Sequence, residues 1–163
     1  MQSRRTPALK DEAVISVLIF CFLLVECAGE PGLYLQLYST DQEKVVKEFR
    51  VEKGDAFYLD YTHSSEKTPI HDVFVIDEKG NIVLIEERYN WYAVGLESNS
   101  EYKEARIIFD GKVTRVLLNR SFPVFSLRVG WVADQVITCG EEECRLKELT
   151  DGGDLLQISV VRK

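Results

Sequence analysis

The fold class is decided by residues 74–85, which read FVIDEKGNIVLI. Two short apolar runs rich in β-branched residues flank the polar tetrapeptide Glu78-Lys79-Gly80-Asn81. Such runs are typical of strands, and glycine accepts the positive φ that a tight hairpin turn requires. Because both runs are apolar at every position, we expect two central strands that are buried on both faces. The stretch therefore predicts an antiparallel hairpin at the centre of a β-sheet.

The alternation of apolar and polar side chains continues along the chain from residue 32 onward. Residues 57–62, for example, read FYLDYT, in which one face of the strand is more apolar than the other. Because such strands need a second layer or closure to bury the apolar face, we predict an all-β fold. The residues leave open whether it is a single antiparallel β-sandwich or a small barrel. About nine to eleven strands are expected from the runs at residues 32–39, 44–51, 56–63, 70–77, 81–89, 101–109, 112–119, 124–130, 134–139, 144–149 and 155–162.

The composition supports one globular domain and excludes several classes of protein. The chain has 163 residues, of which 45% are hydrophobic, enough to form a core. No ten-residue segment after residue 30 has the 3.6-residue period of an amphipathic helix, which argues against βαβ units and coiled coils. The net charge is −7 and no basic tract is present, so we expect no binding to nucleic acid.

The amino-terminal segment has the pattern of an export signal. Basic residues precede an apolar run at residues 13–25, and small residues follow it. At about 1.5 Å per residue this run spans roughly 20 Å as a helix, less than the roughly 30 Å of a bilayer core. We interpret residues 1–29 as a signal peptide or short membrane anchor and residues 30–163 as the all-β domain. The domain is then extracytoplasmic, secreted or anchored to the outer face of the cytoplasmic membrane, with no other tie to the membrane.

In an extracytoplasmic protein, cysteines can be lipidated or can form disulfides. Residues 24–27 read LVEC and resemble the bacterial lipoprotein box, so lipidation of Cys27 is an alternative to ordinary cleavage nearby. Cys139 and Cys144 are separated by four residues, longer than the two-residue spacing of a zinc knuckle. In an oxidising compartment, two cysteines this close in the sequence predict a disulfide.

Both histidines of the chain fall in residues 61–72, which read YTHSSEKTPIHD and join two predicted strands. One interpretation is a hydrolytic site in which a histidine activates Ser64 or Ser65. Adjacent strand residues point to opposite faces, so His63 cannot easily serve Ser64 while the chain is extended. There is also no glycine-flanked nucleophile turn.

Two further interpretations of this corner remain. Imidazole and carboxylate groups suit zinc, so His63, His71 and Glu66 are weak candidates for a metal site, with Glu86 or Glu87 as a further ligand. Strand spacing alone does not bring these residues together. The simpler interpretation is that His63 continues the apolar face of its strand as a partly buried histidine with a local hydrogen-bond partner. We therefore predict no resident metal and no cofactor.

Aromatic and acidic residues follow the next predicted strand. Tyr89, Trp91 and Tyr92 lie close together and could form an aromatic platform for a ligand, or the core and rim of a strand end. Glu86 and Glu87 alternate in face, so they do not form a paired-carboxylate device together. We expect at least one of the two to pair with a basic side chain such as Arg88, Arg106 or Arg128.

Several of these segments together resemble a known family. These segments are HSSEKTP at residues 63–69, the pair Glu86-Glu87, YNWYAVGL at residues 89–96 and LRVG at residues 127–130. With them the sequence resembles a small prokaryotic domain of unknown function whose members are encoded beside TAXI-type TRAP transporters. The resemblance implies no activity. It implies a recognition surface or structural corner made by His63, Ser64, Glu66, Thr68, Tyr92 and Arg128.

The sequence thus predicts an exported, non-catalytic accessory or binding domain. From the resemblance alone, its partner would be a TRAP-type transporter subunit or the small-molecule solute of that uptake system. A small metal-dependent or hydrolytic enzyme that uses the corner from His63 to His71 is one alternative. A purely structural envelope protein is the other.

Overall fold

The computed structural model describes residues 31–63, 67–90 and 105–163 of the chain. The predicted signal segment with Cys27 lies outside these residues. Gly32–Lys163 form a compact unit. Its elements are β1 (Leu33–Ser39), β2 (Lys44–Val51), β3 (Ala56–Thr62), β4 (Pro69–Ile76), β5 (Ile82–Asn90), β6 (Arg106–Phe109), β7 (Val113–Phe122), β8 (Phe125–Arg128), β9 (Val136–Cys139), β10 (Glu142–Arg145), α1 (Leu146–Leu149) and β11 (Leu155–Arg162).

The strands form two antiparallel sheets. The smaller sheet has the order β2-β1-β11-β8 and the larger has the order β10-β9-β3-β4-β5-β7-β6. Each sheet therefore ends in two edge strands, so neither closes into a barrel. The predicted all-β fold is confirmed, and the choice that the sequence left open falls on the sandwich.

The hydrophobic core lies between the two sheets. It combines Leu35 of β1 and Leu156 of β11 with Phe57 of β3 and Phe74 of β4, all of which are fully or almost fully buried. The rings of Phe57 and Phe74 stack with their centroids 4.8 Å apart. We call the side of the larger sheet that carries these two rings its core face, and the opposite side its outer face.

The hairpin at residues 74–85 forms as predicted. β4 occupies the middle of the larger sheet with β5 beside it. The backbone N–H groups of Lys79 and Asn81 both donate to Asp77 Oδ1 at 2.8 Å, and Gly80 has φ of 82°. Bulges interrupt the register of β5 with both of its neighbours, and this shifts which residues share a face. The hairpin thus sets the faces on which the charged residues of β5 lie.

One predicted strand is divided in the structure. The run at residues 144–149 begins as β10 but ends as the one-turn helix α1. A helical turn places Leu146 and Leu149, three residues apart, on one side, and both contact the core. Strict alternation would have placed them on opposite sides of a strand. In the described ranges, no helix is long and apolar enough to cross a membrane.

The predicted disulfide is not formed in the structure. Cys139 and Cys144 are both free and buried, each 9% exposed. Cys139 stands opposite Glu142 and Cys144 opposite Ile137, so the two cysteines are diagonal neighbours across the hairpin. Diagonal positions are roughly 7–8 Å apart, beyond the Cα separation that a disulfide spans. Burial raises the pKa of both thiols, which makes them apolar core residues rather than reactive groups.

A buried carboxylate joins three parts of the chain. Asp154 is 1% exposed and accepts hydrogen bonds from Ser39 Oγ at 2.5 Å, from Thr150 Oγ1 at 2.6 Å and from the backbone N–H of Asp41 at 3.1 Å. Burial disfavours its charge, but the hydrogen bonds from Ser39 and Thr150 prevail, so the pKa of Asp154 is lowered. This network ties the end of β1 to the turn that precedes β11.

The same turn supports an exposed indole. A Cβ atom at Gly152 would lie 2.7 Å from Cε3 of Trp131, and one at Gly153 would lie 3.2 Å from Cζ2. The ring of Trp131 thus lies directly against two glycines, one of which has φ of +99°. Trp131 is nevertheless 75% exposed. Only glycine fits at both positions, because any side chain would displace the ring.

Candidate functional site

A small pocket opens where β3, β4, β5 and β7 come together at one end of the larger sheet. Its volume is about 280 Å³. The strand register assembles it, since His71 pairs with both Asp60 and Arg88, and Asn90 pairs with Val113. The lining residues are Asp60, Pro69, Ile70, His71, Arg88, Tyr89, Asn90 and Val113.

An oriented histidine stands on one wall of the pocket. His71 Nδ1 lies 2.7 Å from Asp60 Oδ1, and the imidazole stacks on the ring of Tyr58 at 5.3 Å. A carboxylate accepts from the Nδ1–H tautomer, which leaves Nε2 to act as the second polar atom of the ring. Among the described residues Nε2 has no hydrogen-bond partner. The wall therefore presents a fixed ring nitrogen beside the pocket.

An arginine on the same outer face is held by a buried carboxylate. Glu86 is 7% exposed and accepts hydrogen bonds from Arg115 Nε at 2.7 Å, from Arg115 Nη2 at 2.8 Å and from Arg88 Nε. The bidentate hydrogen bonding from Arg115, with that from Arg88, lowers the pKa of Glu86 to about 2. Since Arg88 engages Glu86 only through Nε, its terminal nitrogens can serve a ligand. The predicted pairing of a glutamate with Arg88 is confirmed, and Arg115 is its unpredicted second partner.

Two further carboxyl groups lie on the core face of the same strands. Asp72 of β4 stands directly opposite Glu87 of β5. Asp72 Oδ1 and Glu87 Oε2 are both buried without a hydrogen-bond partner in the part of the chain that the structure describes. Burial, with the charges of Glu87 and Asp60, raises the pKa of Asp72 to about 8, and burial also raises the pKa of Glu87.

The residues predicted from the sequence are only partly brought together. His71 and Tyr89, each named for a different site, both line the pocket. His63 and Thr68 close the turn before β4, where the N–H of His63 donates to the carbonyl of Thr68 at 2.8 Å, and neither lines the pocket. Arg128 lies on β8 in the smaller sheet, where its Nη1 donates to the carbonyl oxygen of Gly153 at 2.6 Å. The other candidates, Ser64, Glu66, Trp91 and Tyr92, lie outside the described residues.

The metal interpretation receives no support from the described geometry. His71 already directs Nδ1 at Asp60. Across residues 31–63, 67–90 and 105–163, no three histidine, cysteine, aspartate or glutamate side chains are grouped so that they could hold a metal ion. The chemistry that the pocket does offer is hydrogen bonding and charge from Arg88, His71 and Asn90 beside an apolar rim.

The fold and the pocket together define a class, an antiparallel β-sandwich domain with a polar pocket at the end of its larger sheet. The chain belongs to the DUF1850 family, a domain of unknown function, whose model matches residues 57–146. The matched region runs from β3 into the first residue of α1 and contains the whole pocket, Asp72 and Glu87. No curated protein and no solved structure matches the chain.

Proposed function

We propose that this domain is an exported, non-catalytic binding module that recognises a small organic anion in the pocket at the end of the larger sheet. The observation that carries the proposal is the convergence of Arg88 and His71 on one small pocket. Arg88 supplies N–H donors, whereas His71, whose Nδ1–H faces Asp60, supplies Nε2 as an acceptor for a hydroxyl or ammonium group of the same ligand. A carboxylate is the ligand group that Arg88 recognises best, because the guanidinium matches its planar geometry.

The other walls of the pocket suit the carbon skeleton of such a ligand. Pro69, Ile70 and Val113 provide apolar surface, and Asn90 provides an amide that can donate and accept. Pockets for drug-sized ligands usually exceed about 300 Å³, so a volume of about 280 Å³ fits a smaller molecule. A short mono- or dicarboxylic acid or an amino acid has the required size and charge.

The position of Arg88 also favours binding. Its Nε atom is held by Glu86, which Arg115 holds in turn. The guanidinium is therefore oriented before a ligand arrives, so less side-chain entropy is lost on binding. The carboxylates of Asp60 and Glu86 are engaged by His71 and the arginines, which reduces their repulsion of an anion.

The proposal also includes the location of the domain and the partner with which it acts. The predicted signal segment would place the domain outside the cytoplasm, where it meets solutes before uptake. Its resemblance to a family encoded beside TRAP transporters supports an accessory role near such a system, with either the solute or a transporter subunit as its partner. A pocket for organic anions is consistent with that role.

The proposal is tested by calorimetric titration and thermal unfolding with a panel of acetate, pyruvate, succinate, glutamate and benzoate. A ligand at 100 times its Kd adds about 2.7 kcal/mol to the free energy of unfolding. We expect Arg88→Met to abolish this stabilisation. Arg128→Met, which removes the sequence-predicted arginine of the other sheet, should leave it unchanged. The proposal is wrong if no acid binds, or if Arg88→Met binds as the wild type does.

A hydrolytic enzyme remains the second candidate because of one observation. The pair of Asp60 and His71 has the arrangement of a general base oriented by a carboxylate. The described lining contains no serine, threonine or cysteine, so the base would have to activate water. Turnover of ester or amide substrates that is lost in His71→Gln would favour the enzyme, whereas binding without turnover favours the module.

A further inference from the structure

The two carboxyl groups on the core face of the larger sheet form an unusual pair. The register of β3 with β4 places Asp72 on the same face as Phe74, opposite Leu59. The register of β4 with β5 places Glu87 directly across from Asp72. Cβ atoms at such positions are about 4.5–5.5 Å apart, and like charges there destabilise a sheet. The two acids therefore face each other within the interior side of the sheet.

Each carboxyl group has one buried oxygen that the described protein leaves without a hydrogen-bond partner. Asp72 is 6% exposed, and its Oδ1 atom has no hydrogen-bond partner in the described chain. The same holds for Glu87 Oε2. A buried ionised carboxylate without a partner is costly, and two of them side by side are costlier still. A proton bound by the pair would remove one of the two charges.

The charged groups around Asp72 and Glu87 do not neutralise both carboxylates. Asp60 on β3 adds further negative charge to Asp72, and Arg120 on β7 offsets part of the charge of Glu87 alone. The neighbouring core-face positions on β3 and β5 are held by the aromatic residues Tyr61 and Tyr89. Among the described residues, the charges that act on Asp72 are therefore negative.

We propose that Asp72 and Glu87 share one proton and act as a pH-sensitive lock between β4 and β5. In the closed state one carboxyl group donates its O–H to the other, so the pair carries a single negative charge. When hydroxide removes the shared proton, water forms, and a buried and a half-buried carboxylate face each other. Their repulsion then weakens the contact between the two central strands.

A proton fits this site better than a metal ion. Ca²⁺ takes six to eight oxygen ligands, and Mg²⁺ takes about six in near-octahedral geometry. The pair offers two carboxyl groups, and the described residues contain no group of three metal-ligating side chains. A proton needs only two oxygens, one to carry it and one to accept the hydrogen bond.

The lock has a defined signature in the pH dependence of stability. Unfolded aspartate and glutamate release their protons near pH 4, whereas the folded pair keeps one proton to about pH 8. Between these values the folded state binds one proton more than the unfolded state, so stability falls as pH rises. The unfolding equilibrium constant should increase about tenfold per pH unit from about pH 5 to about pH 8 on account of this pair.

Urea unfolding of the full chain between pH 5 and pH 9 tests the proposal. Asp72→Asn and Glu87→Gln keep the shape of each side chain and remove the shared proton. Burial alone still raises the pKa of the carboxyl group that remains, so in each variant the increase per pH unit should end at a lower pH than in the wild type. At pH 9 each variant should be more stable than the wild type. Glu143→Gln, an exposed acid on β10, is the matched control and should keep the wild-type pH dependence. Equal pH dependence in the wild type and both carboxyl variants would overturn the lock.

Two further measurements keep the proposal testable if the variants fail to fold. Difference infrared spectra of the wild type should show the C=O stretch of a protonated carboxylic acid at pH 7 that disappears by pH 9.5, and its absence would overturn the proposal. Unfolding of the wild type at pH 7 should not change with millimolar CaCl₂ or MgCl₂. Stabilisation by either ion, together with loss of the carboxylic acid band, would show a cation site instead.

Discussion

The substitution Asp154→Ala should be one of the most damaging single changes in the domain. It removes the acceptor of four hydrogen bonds. The buried O–H groups of Ser39 and Thr150 then have no acceptor, although Ser39 Oγ still accepts from the backbone N–H of Gln42. Each unsatisfied buried donor costs about 1–3 kcal/mol, and the Asp41 amide is only partly buried. We therefore expect a loss of about 3–5 kcal/mol in the free energy of unfolding, against a typical total of roughly 5–15 kcal/mol.

Urea unfolding followed by circular dichroism measures this loss. With a slope of about 1–3 kcal/mol per M, the urea midpoint should fall by about 1–3 M. Asp151→Ala, in the same turn but exposed, should change the stability by no more than about 0.5 kcal/mol. A loss at Asp154 no larger than that at Asp151 would refute the reasoning about the buried network.

The pH dependence of the same variant checks the electrostatic part of the argument. The pKa of Asp154 is lowered in the folded state, so its contribution is fully present above the unfolded value of about 3.9. It is lost as the pH falls through the folded value. The difference between wild type and Asp154→Ala should therefore be constant from pH 5 to pH 7 and shrink below about pH 4.

Three further changes probe the core, the contacts of Glu86 with Arg88 and Arg115, and the turn at Gly153. Phe74→Ala should lower the free energy of unfolding by about 3–5 kcal/mol in urea titrations, because it empties the stack on Phe57. Glu86→Gln should lower it by only about 1 kcal/mol at pH 7, since the guanidinium groups it binds are partly exposed, and the difference should vanish in titrations toward pH 2. Gly153→Ala should cost about 1–3 kcal/mol in thermal unfolding, because alanine resists φ of +99°; an unchanged melting temperature would contradict this.

The positions of the strands were predictable because alternation reports directly on burial. The hairpin between β4 and β5 and its glycine turn follow from residues 74–85 alone. The run at residues 144–149 was harder, because a single helical turn and a short strand each contain only one or two apolar positions. Four residues are too few for the period to decide between the two.

The candidate site was less predictable because it depends on strand register. Glu86 and Glu87 were correctly expected on opposite faces, but the partner of each comes from another strand. Bulges between β5 and its neighbours set those pairings, and alternation within a single strand does not reveal them. The only sign of Asp72 in the sequence was its position as an acid within the mainly apolar strand β4. Its pairing with Glu87 follows from the register and could not be predicted.

The cysteine pair fails for a related reason. Proximity in the sequence suggested a bond between Cys139 and Cys144, but a hairpin with this short turn places them one step apart along the ladder. The register of β9 with β10 would have to shift so that the two cysteines stood directly opposite before their sulfur atoms could bond. The two cysteines instead contribute buried side chains to the hydrophobic core.

The indole seated on Gly152 and Gly153 gives the protein an internal optical reporter. Trp131 and Trp91 are the two tryptophans of the chain, so Trp91→Phe would leave a single emitter beside the turn that Asp154 anchors. Its emission wavelength and accessibility to quenchers would then report the loosening of that turn separately from the unfolding of the sheets. Local opening and global denaturation could thus be distinguished in one sample without an added dye.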